Sequence, residues 1–179
     1  MHHRYLCAML ESDTHRLRAM ELRDVEFLFD IENQSDEWWL GSNLSPISRE
    51  TLGTFVSGQH DLWRDLQLRL ILDHKESGEQ VGAVDLYQLD PRNRRAGVGI
   101  VVRRSQRMQG HAQIGLALMM DYAFGHLGLH QLWAEVPAKL ESSERLFIKA
   151  GFETNGTLKS WIFKDNDWMD ALWMQKIKP

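Results

Sequence analysis

Cysteine is nearly absent from this chain: Cys7 is the one example among 179 residues. That scarcity excludes an intrachain disulfide and any cysteine-rich zinc site, and it is typical of a reducing compartment, so we expect a cytoplasmic protein without a bound metal. The chain also lacks any run approaching the roughly 20 apolar residues of a membrane helix, which predicts no membrane partner. Residues 1–14 show no hydrophobic periodicity and are expected to be a flexible N-terminal extension.

An excess of basic charge is missing as well. The 21 Lys and Arg residues stand against 25 Asp and Glu residues, which gives a net charge of −4 at pH 7. This balance provides no general attraction for nucleic acid, so we expect no nucleic-acid partner, and any anionic ligand must be held by a local patch. Arginines do cluster in one part of the chain, at Arg92, Arg94, Arg95, Arg103, Arg104 and Arg107. For any one of these side chains, the alternative to a role in anion binding is an ordinary solvated position on the surface.

The hydrophobic pattern predicts a single domain at residues 15–179, because 43% hydrophobic residues over this length suffice for one well-filled core. Alternating and helical periodicities predict the element order β-α-α-β-β-β-α-β-α-β-β. Asp24 is the expected cap of the first helix, and the second helix is expected to start near Ser48. The three strands after them, at residues 66–72, 80–89 and 95–102, are joined by short turns and are expected to pair antiparallel. The fold class is therefore α+β, with a mostly antiparallel sheet.

A strand, a turn and a helix follow one another at residues 98–102, 107–112 and 113–127. The turn contains Gly110, and its backbone N–H groups converge at the positive end of the helix dipole. This arrangement suits a pyrophosphate and predicts a phosphate-bearing cofactor. A dinucleotide-binding fold is excluded, because Gly97-Val98-Gly99 lacks a third glycine and no early βαβ unit is present.

Two motifs in this region make the chain resemble the GNAT superfamily of acetyltransferases. Arg107-x-x-Gly110-x-Ala112 matches its Q/R-x-x-G-x-G/A signature, and residues 146–152, Leu-Phe-Ile-Lys-Ala-Gly-Phe, are similar to its later L-Y-x-K-x-G-F motif. Within the superfamily the chain looks most like spermidine N-acetyltransferases and ribosomal-protein N-terminal acetyltransferases. The resemblance implies a sheet of about seven strands flanked by about four helices, with its two central strands splayed apart.

The resemblance also implies where acetyl-CoA binds. The pantetheine arm would pair with main-chain atoms near Val101, Val102 and Arg104, in the opening between residues 98–102 and 131–136. The pyrophosphate would take the amides of the turn, with a charge-assisted contact from Arg104 or Arg107. The cofactor contacts expected in the turn are Arg107, Met108, Gln109, Gly110, His111, Ala112 and Gln113. From the later motif they are Ser143, Phe147 and Lys149.

The chain departs from the family at the reacting end. Phe147 stands where the family uses a tyrosine acid and has no hydroxyl, while Leu140 and Gly97 replace a frequent asparagine and glutamate. The candidate catalytic residues that remain are Asp85 as a base or amine anchor, Glu135 as a base, and Ser142, or its neighbour Ser143, as an aid to the thiolate. The alternatives are a strand carboxylate paired with an arginine and an ordinary helix N-cap.

The expected activity is transfer of an acetyl group from acetyl-CoA to a primary amine by direct attack in a ternary complex. A lysine-type amine costs roughly 4–5 kcal/mol to deprotonate at pH 7 and an α-amine only about 1, so a weak base suffices for a protein N-terminus. A protein N-terminal α-amine or a small amine is therefore favoured.

Trp38, Trp39, Asp85 and Tyr87 are the expected acceptor contacts. A polyamine acceptor is the alternative, although the acids Asp36 and Glu37 precede the tryptophans, whereas polyamine enzymes carry acids after one. The tryptophans are equally compatible with a core or with the interface of a homodimer or higher homo-oligomer. A non-catalytic acyl-CoA sensor is the alternative from a different class of protein.

Overall fold

The computed structural model describes residues 10–41 and 44–178. Its strands are β1 (His15–Arg18), β2 (Leu68–His74), β3 (Gln80–Asp90), β4 (Arg95–Val102), β5 (Gln131–Pro137), β6 (Glu153–Lys164) and β7 (Asp167–Ile177). Its helices are α1 (Val25–Glu32), α2 (Arg49–Ser57), the one-turn α3 (Leu62–Asp65), α4 (His111–Asp121) and α5 (Glu141–Lys149). The predicted α+β class and element order are confirmed, and α3 is an addition that the sequence pattern did not indicate.

The seven strands form one sheet in the order β1-β2-β3-β4-β5-β7-β6. All neighbours are antiparallel except β4 and β5, which run parallel and pair only over Arg95↔Gln131, Ala96↔Leu132 and Gly97↔Trp133. Beyond Gly97 the two strands separate, so their C-terminal halves leave an opening in the middle of the sheet. The expected splay of the central strands is confirmed.

Each face of the sheet carries its own core. Leu116 and Met119 of α4 pack with Val98 and Leu132 on one face, whereas α1 and α2 cover Ile71 and Ala83 on the other. Gly115 allows α4 to approach closely, because a Cβ at this position would stand 2.8 Å from Leu72 Cδ2. The two faces of the sheet are therefore covered by different helices.

The two predicted helix starts have different outcomes. α2 begins directly after Ser48, near where it was expected, and the Ser48 hydroxyl caps it by accepting the N–H of Thr51 at 3.0 Å. Asp24 does not cap α1: its buried carboxylate instead receives the Arg18 guanidinium and the Glu21 N–H. The expectation for Asp24 was therefore wrong, because an ion pair with β1 uses the oxygens that a cap would need.

The two ends of the chain also differ from what the sequence pattern predicts. Residues 1–9 of the expected N-terminal extension lie outside the described residues, and residues 10–14 turn back on β1 through hydrogen bonds such as Leu17 N–H to Leu10 O at 2.7 Å. The final hairpin is longer than expected, because register shifts near Gly156 and between Leu158 and Ile162 let β6 stay paired with β7.

Candidate active site

The loop between β4 and α4 provides unpaired backbone donors at the wide end of the opening. Met108 and Gly110 have φ angles of 61° and 87°, which tilts consecutive N–H groups toward solvent. Within the described residues, the amides of 108–112 donate no hydrogen bond. A Cβ on Gly110 would meet no atom within 4 Å, so the positive φ rather than crowding accounts for glycine here. Such a concave set of amides at a helix start fits a pyrophosphate.

The edge of β4 that faces the opening is defined by the register of the sheet. Arg103 N–H donates to Val81 O at 2.9 Å, so hydrogen-bonded pairs with β3 recur at Val101 and Gly99. The main-chain groups of Val102 and Ile100 consequently point toward β5 and the opening. This corrects the expectation for Val101, whose backbone is used by the sheet.

Arg104 and Arg107, the expected phosphate contacts, are both paired with acids. Arg107 donates to Glu37 Oε1 and Oε2 at 2.7 and 2.6 Å, and its Nε donates to Val102 O at 3.0 Å. Arg104 donates to Asp36 at 2.7 Å and to Glu37 at 2.8 Å. Hydrogen bonds from Arg107 and Arg104 lower the pKa of Glu37 to about 2, although burial opposes this. The loop is thereby joined to the Ser35–Leu40 turn.

His111 contributes its backbone but not its side chain to this loop. Its ring is buried, and Nδ1 lies 2.7 Å from Nε2 of His15, with His74 against both rings. Burial and the neighbouring His74 lower the pKa of His111, and burial together with His111 and His74 lowers the pKa of His15 to about 4. The imidazole therefore faces β1 and β2 rather than a cofactor.

At the narrow end of the opening, Tyr87 of β3 lies flat across β4. A Cβ on Gly97 would collide with the ring, and one on Gly99 would touch it at 3.6 Å. The edge of the ring meets Trp133 of β5, with centroids 5.0 Å apart. Gly97, which replaces the family's glutamate, thus leaves the room that Tyr87 occupies.

The hydroxyl of Tyr87 reaches Glu135, two residues beyond the last β4–β5 pair. Burial, followed by the carboxylates of Glu135 and Asp85, raises the pKa of Tyr87, and a hydrogen bond from the Glu135 backbone partly opposes the rise. Because that bond favours the phenolate, it comes from the N–H. Tyr87 remains a neutral hydroxyl at physiological pH, located where the strands diverge.

Asp85 is held by an arginine rather than free. Arg69 donates to its two oxygens at 2.7 and 2.9 Å, and the same guanidinium also contacts Glu32. The sequence did not single out Arg69 or Glu32, although both lie in elements that were predicted. The arginine-paired alternative for Asp85 is the arrangement observed.

Tryptophans line the same sheet face on the β5 side. Trp161 Nε1 donates to Glu135 Oε2 at 2.8 Å, and Trp133 stacks on Trp173 with ring centroids 4.6 Å apart. Trp133 was missed in the sequence, although it alternates with the buried Leu132 and Ala134 and so had to face the opposite side of β5. Glu135 is therefore surrounded by aromatic side chains.

Trp38 and Trp39 lie farther out, on the Ser35–Leu40 turn. Their indole N–H groups donate to Glu32 O and Asp36 O, at 2.8 and 3.0 Å. The Nζ of Lys164 stands 4.3 Å above the ring of Trp39. The turn therefore meets the β6–β7 hairpin, and Ser42 and Asn43, which follow it, lie outside the described residues.

The residues of the later motif lie on α5, the helix that follows β5 in the chain. Phe147 is buried edge-on against Phe152, as suits an apolar side chain without a catalytic hydroxyl. Ser142 is exposed and Ser143 half-buried in the first turn of α5, and Leu140 rather than either serine occupies the cap position. Lys149 is exposed in the last turn, at the opposite end of α5 from the serines.

Comparison with known proteins identifies the chain. It belongs to the acetyltransferase (GNAT) family, whose domain matches residues 15–153. An uncharacterized N-acetyltransferase of Bacillus subtilis, YoaA, is 25% identical over 96% of this chain and 97% of its own length. The spermidine N(1)-acetyltransferase of Escherichia coli K12 is 26% identical over 89% of this chain and 83% of its own length.

The fold is also that of solved acetyltransferases. The crystal structure of Vibrio cholerae spermidine N-acetyltransferase in complex with CoA and spermine superposes with a TM-score of 0.79 at 20% identity, covering 93% of this chain and 96% of that one. The protein is an acetyl-CoA-dependent N-acetyltransferase that acts on an amine. No described helix is both long and apolar enough to span a membrane, and the described residues contain no cluster of three metal-ligating side chains.

Proposed function

We propose, from its membership of the GNAT family, that this acetyltransferase acts on a compact primary amine, either a protein N-terminal α-amine or a small amine. One observation carries this choice: four carboxylates around the opening are already paired with arginines of the protein. Arg104 and Arg107 use Asp36 and Glu37, and Arg69 uses Asp85 and Glu32. A polycation would have to displace these arginines to gain its own ion pairs, whereas a single amine needs only one site.

The donor is assigned to the opening between β4 and β5. In this proposal the amides of residues 108–112 hold the pyrophosphate, whereas the Gln113 N–H donates to Gly110 O. Arg104 and Arg107 add charge, and Val102 with Ile100 pairs with the pantetheine arm. Ser143 and Lys149 remain proposed contacts on α5, and Phe147 supplies apolar packing. The acetyl group then points to the narrow end of the opening, beside Tyr87 and Glu135.

The acceptor is assigned to the sheet face that bears Tyr87, Glu135 and the tryptophans. Glu135 is the proposed base, because among the described residues its carboxylate accepts one hydrogen bond, from Trp161 to Oε2, which leaves Oε1 available to an ammonium group. Asp85 is proposed as an anchor, since both of its oxygens already accept hydrogen bonds from Arg69. Ser142 is retained as a proposed donor to the leaving thiolate, and Trp38 and Trp39 as the outer rim.

A polyamine acceptor is the second candidate, because the E. coli relative and the Vibrio cholerae neighbour are both named for spermidine. Further proposals are a cytoplasmic location, consistent with the lone cysteine, a single domain at residues 15–179, and a homo-oligomer. The last has support from a dodecameric structure of the Vibrio cholerae enzyme, which superposes with a TM-score of 0.77 at 21% identity over 93% of this chain.

Thiol release with a panel of acceptors tests the proposal. The panel comprises peptides with free N-termini, the same peptides with blocked N-termini, small monoamines and spermidine, at matched concentrations. We expect the highest kcat/KM with a free α-amine or a monoamine, and none with blocked peptides that lack lysine.

Two outcomes contradict this proposal. Preference for spermidine by tenfold or more favours the polyamine enzyme, and turnover of no amine alongside tight acetyl-CoA binding favours the sensor. Glu135→Gln should lower kcat strongly if Glu135 is the base, and Glu50→Gln, on the exposed face of α2, is the matched control.

A further inference from the structure

Loss of the family's tyrosine at Phe147 leaves the reacting thioester without a hydroxyl donor on α5. The described structure has a different tyrosine at the narrow end of the opening, where the ring of Tyr87 crosses β4 and its oxygen meets Glu135. From the sequence, Tyr87 was expected only to contact the acceptor. Its position relative to the donor suggests another role.

The length of the pantetheine arm places the thioester near this hydroxyl. Between the pyrophosphate and sulfur the arm spans about a dozen bonds, which matches about four residues of extended backbone. Paired along β4 from Val102, it therefore ends near Val98, next to Gly97 and Gly99. Those are the two glycines over which Tyr87 lies.

The hydroxyl is also available as a donor. The Tyr87 ring lies over Gly97 and Gly99, and in the described residues no side chain accepts a hydrogen bond from its hydroxyl, since the nearby Glu135 carboxylate accepts from Trp161. Burial and the two carboxylates keep it protonated, so it can donate a hydrogen bond but is a poor proton-transfer acid.

We infer that Tyr87 is a catalytic residue whose hydroxyl donates a hydrogen bond to the carbonyl oxygen of the acetyl thioester. This inference rests on the proposed function. The amine lone pair forms the C–N bond while the carbonyl π pair moves to oxygen, and the Tyr87 hydrogen bond strengthens as that oxygen becomes negative. When the carbonyl re-forms, the C–S bond breaks and its electron pair leaves with sulfur as CoA thiolate. The proton lost from nitrogen passes to the Glu135 carboxylate and then to water, so Tyr87 itself neither gains nor loses a proton.

Tyr87→Phe tests the inference by removing the hydroxyl while keeping the ring over Gly97. We expect kcat to fall about 10²-fold, the size of the effect of one lost oxyanion donor, with a small change in the acceptor KM. The shape of the pH–kcat profile should not change, because the hydroxyl does not titrate in the working range. Tyr122→Phe, in the π turn after α4 and stacked on His126, is the matched control and should retain wild-type kcat.

Infrared spectra provide a readout that needs no acceptor. With ¹³C-labelled acetyl-CoA bound, the stretching frequency of the thioester carbonyl should be lower in the wild type than in Tyr87→Phe, since a hydrogen bond weakens the C=O bond. Equal stretches, or an unchanged kcat in Tyr87→Phe, overturn the role of Tyr87. If the wild type acetylates no amine but binds acetyl-CoA, the proposed function fails, while the infrared comparison still decides the hydrogen bond. A wild type that does not bind acetyl-CoA overturns both.

Discussion

Arg107 donates to both carboxylate oxygens of Glu37, at 2.7 and 2.6 Å, and so joins the proposed cofactor loop to the turn that carries Trp38. The proposed donor site and the proposed acceptor rim are thus connected by this ion pair, together with those of Arg104 to Asp36 and Glu37. Since a diphosphate and Glu37 would compete for the same guanidinium, this pair offers a direct test of how the loop holds its donor.

Removal of the Glu37 charge should tighten acetyl-CoA binding. In Glu37→Gln the arginines keep a hydrogen-bond acceptor but lose the competing carboxylate, so we expect the Kd to fall about fivefold, equivalent to about 1 kcal/mol. Isothermal titration at two salt concentrations measures this, with Glu50→Gln as the control. Weaker binding in Glu37→Gln would instead show that Glu37 holds the arginines in their productive positions.

The same carboxylate should make stability depend on acidic pH. Its pKa falls from the model-peptide value of 4.5 to about 2 in the folded protein, so the unfolded chain binds more protons between these values. The stabilisation is therefore complete above about pH 4.5 and is lost as the pH falls through about 2. In urea unfolding, the free energy of unfolding of the wild type should exceed that of Glu37→Gln near pH 6, and this difference should shrink toward pH 2. A constant difference would be inconsistent with this ion pair.

A charged side chain at Gly110 should abolish donor binding. Gly110→Glu imposes a left-handed conformation on a residue with a Cβ, at about 1–2 kcal/mol, and brings a carboxylate to the amides that would receive phosphate. The increase in thermal midpoint that acetyl-CoA causes in the wild type should disappear. Gly53→Glu, at an open position on α2, makes the same charge change and should keep the shift. If acetyl-CoA raises the thermal midpoint of Gly110→Glu as much as that of the wild type, the pyrophosphate does not bind at this loop.

Asp85→Asn should affect stability more than the chemical step. The substitution leaves the Arg69 guanidinium with Glu32 as its remaining acid, which we expect to cost about 2 kcal/mol of unfolding free energy, below the cost for a fully buried pair. Denaturant-induced unfolding measures the change in unfolding free energy, and kcat as a function of pH measures the effect on the chemical step. Loss of the acidic limb of that pH profile in Asp85→Asn would identify Asp85, rather than Glu135, as the base.

The buried histidine pair should reduce stability at mildly acidic pH. The pKa of His15 falls from 6.5 to about 4, so the unfolded chain takes up a proton first as the pH decreases. Stability attributable to this group is constant above about pH 6.5 and declines down to about pH 4. NMR titration of the His15 ring checks the value directly. A His15 midpoint near 6.5 would contradict it.

Much of the fold could be predicted because its signals are local. The alternation in residues 66–102, Ser48 before α2 and the glycine turn before α4 each lie within a few residues of what they determine. Asp24 was mispredicted as a cap because Arg18, its actual partner, belongs to a different element. Val101 was chosen instead of Ile100 because hydrogen-bonding direction depends on strand register, which alternation alone does not reveal.

Periodicity and motif spacing belong to contiguous residues, so the order of elements, the family and the class of donor follow from the amino-acid sequence. Three contacts became visible only in the folded chain: Arg69 holds Asp85, Glu37 holds Arg107 and Tyr87 covers Gly97. Each of these contacts depends on which face of a strand a side chain occupies and on which strands are neighbours. A one-residue change of register would reverse those faces, so only the assembled sheet specifies the site.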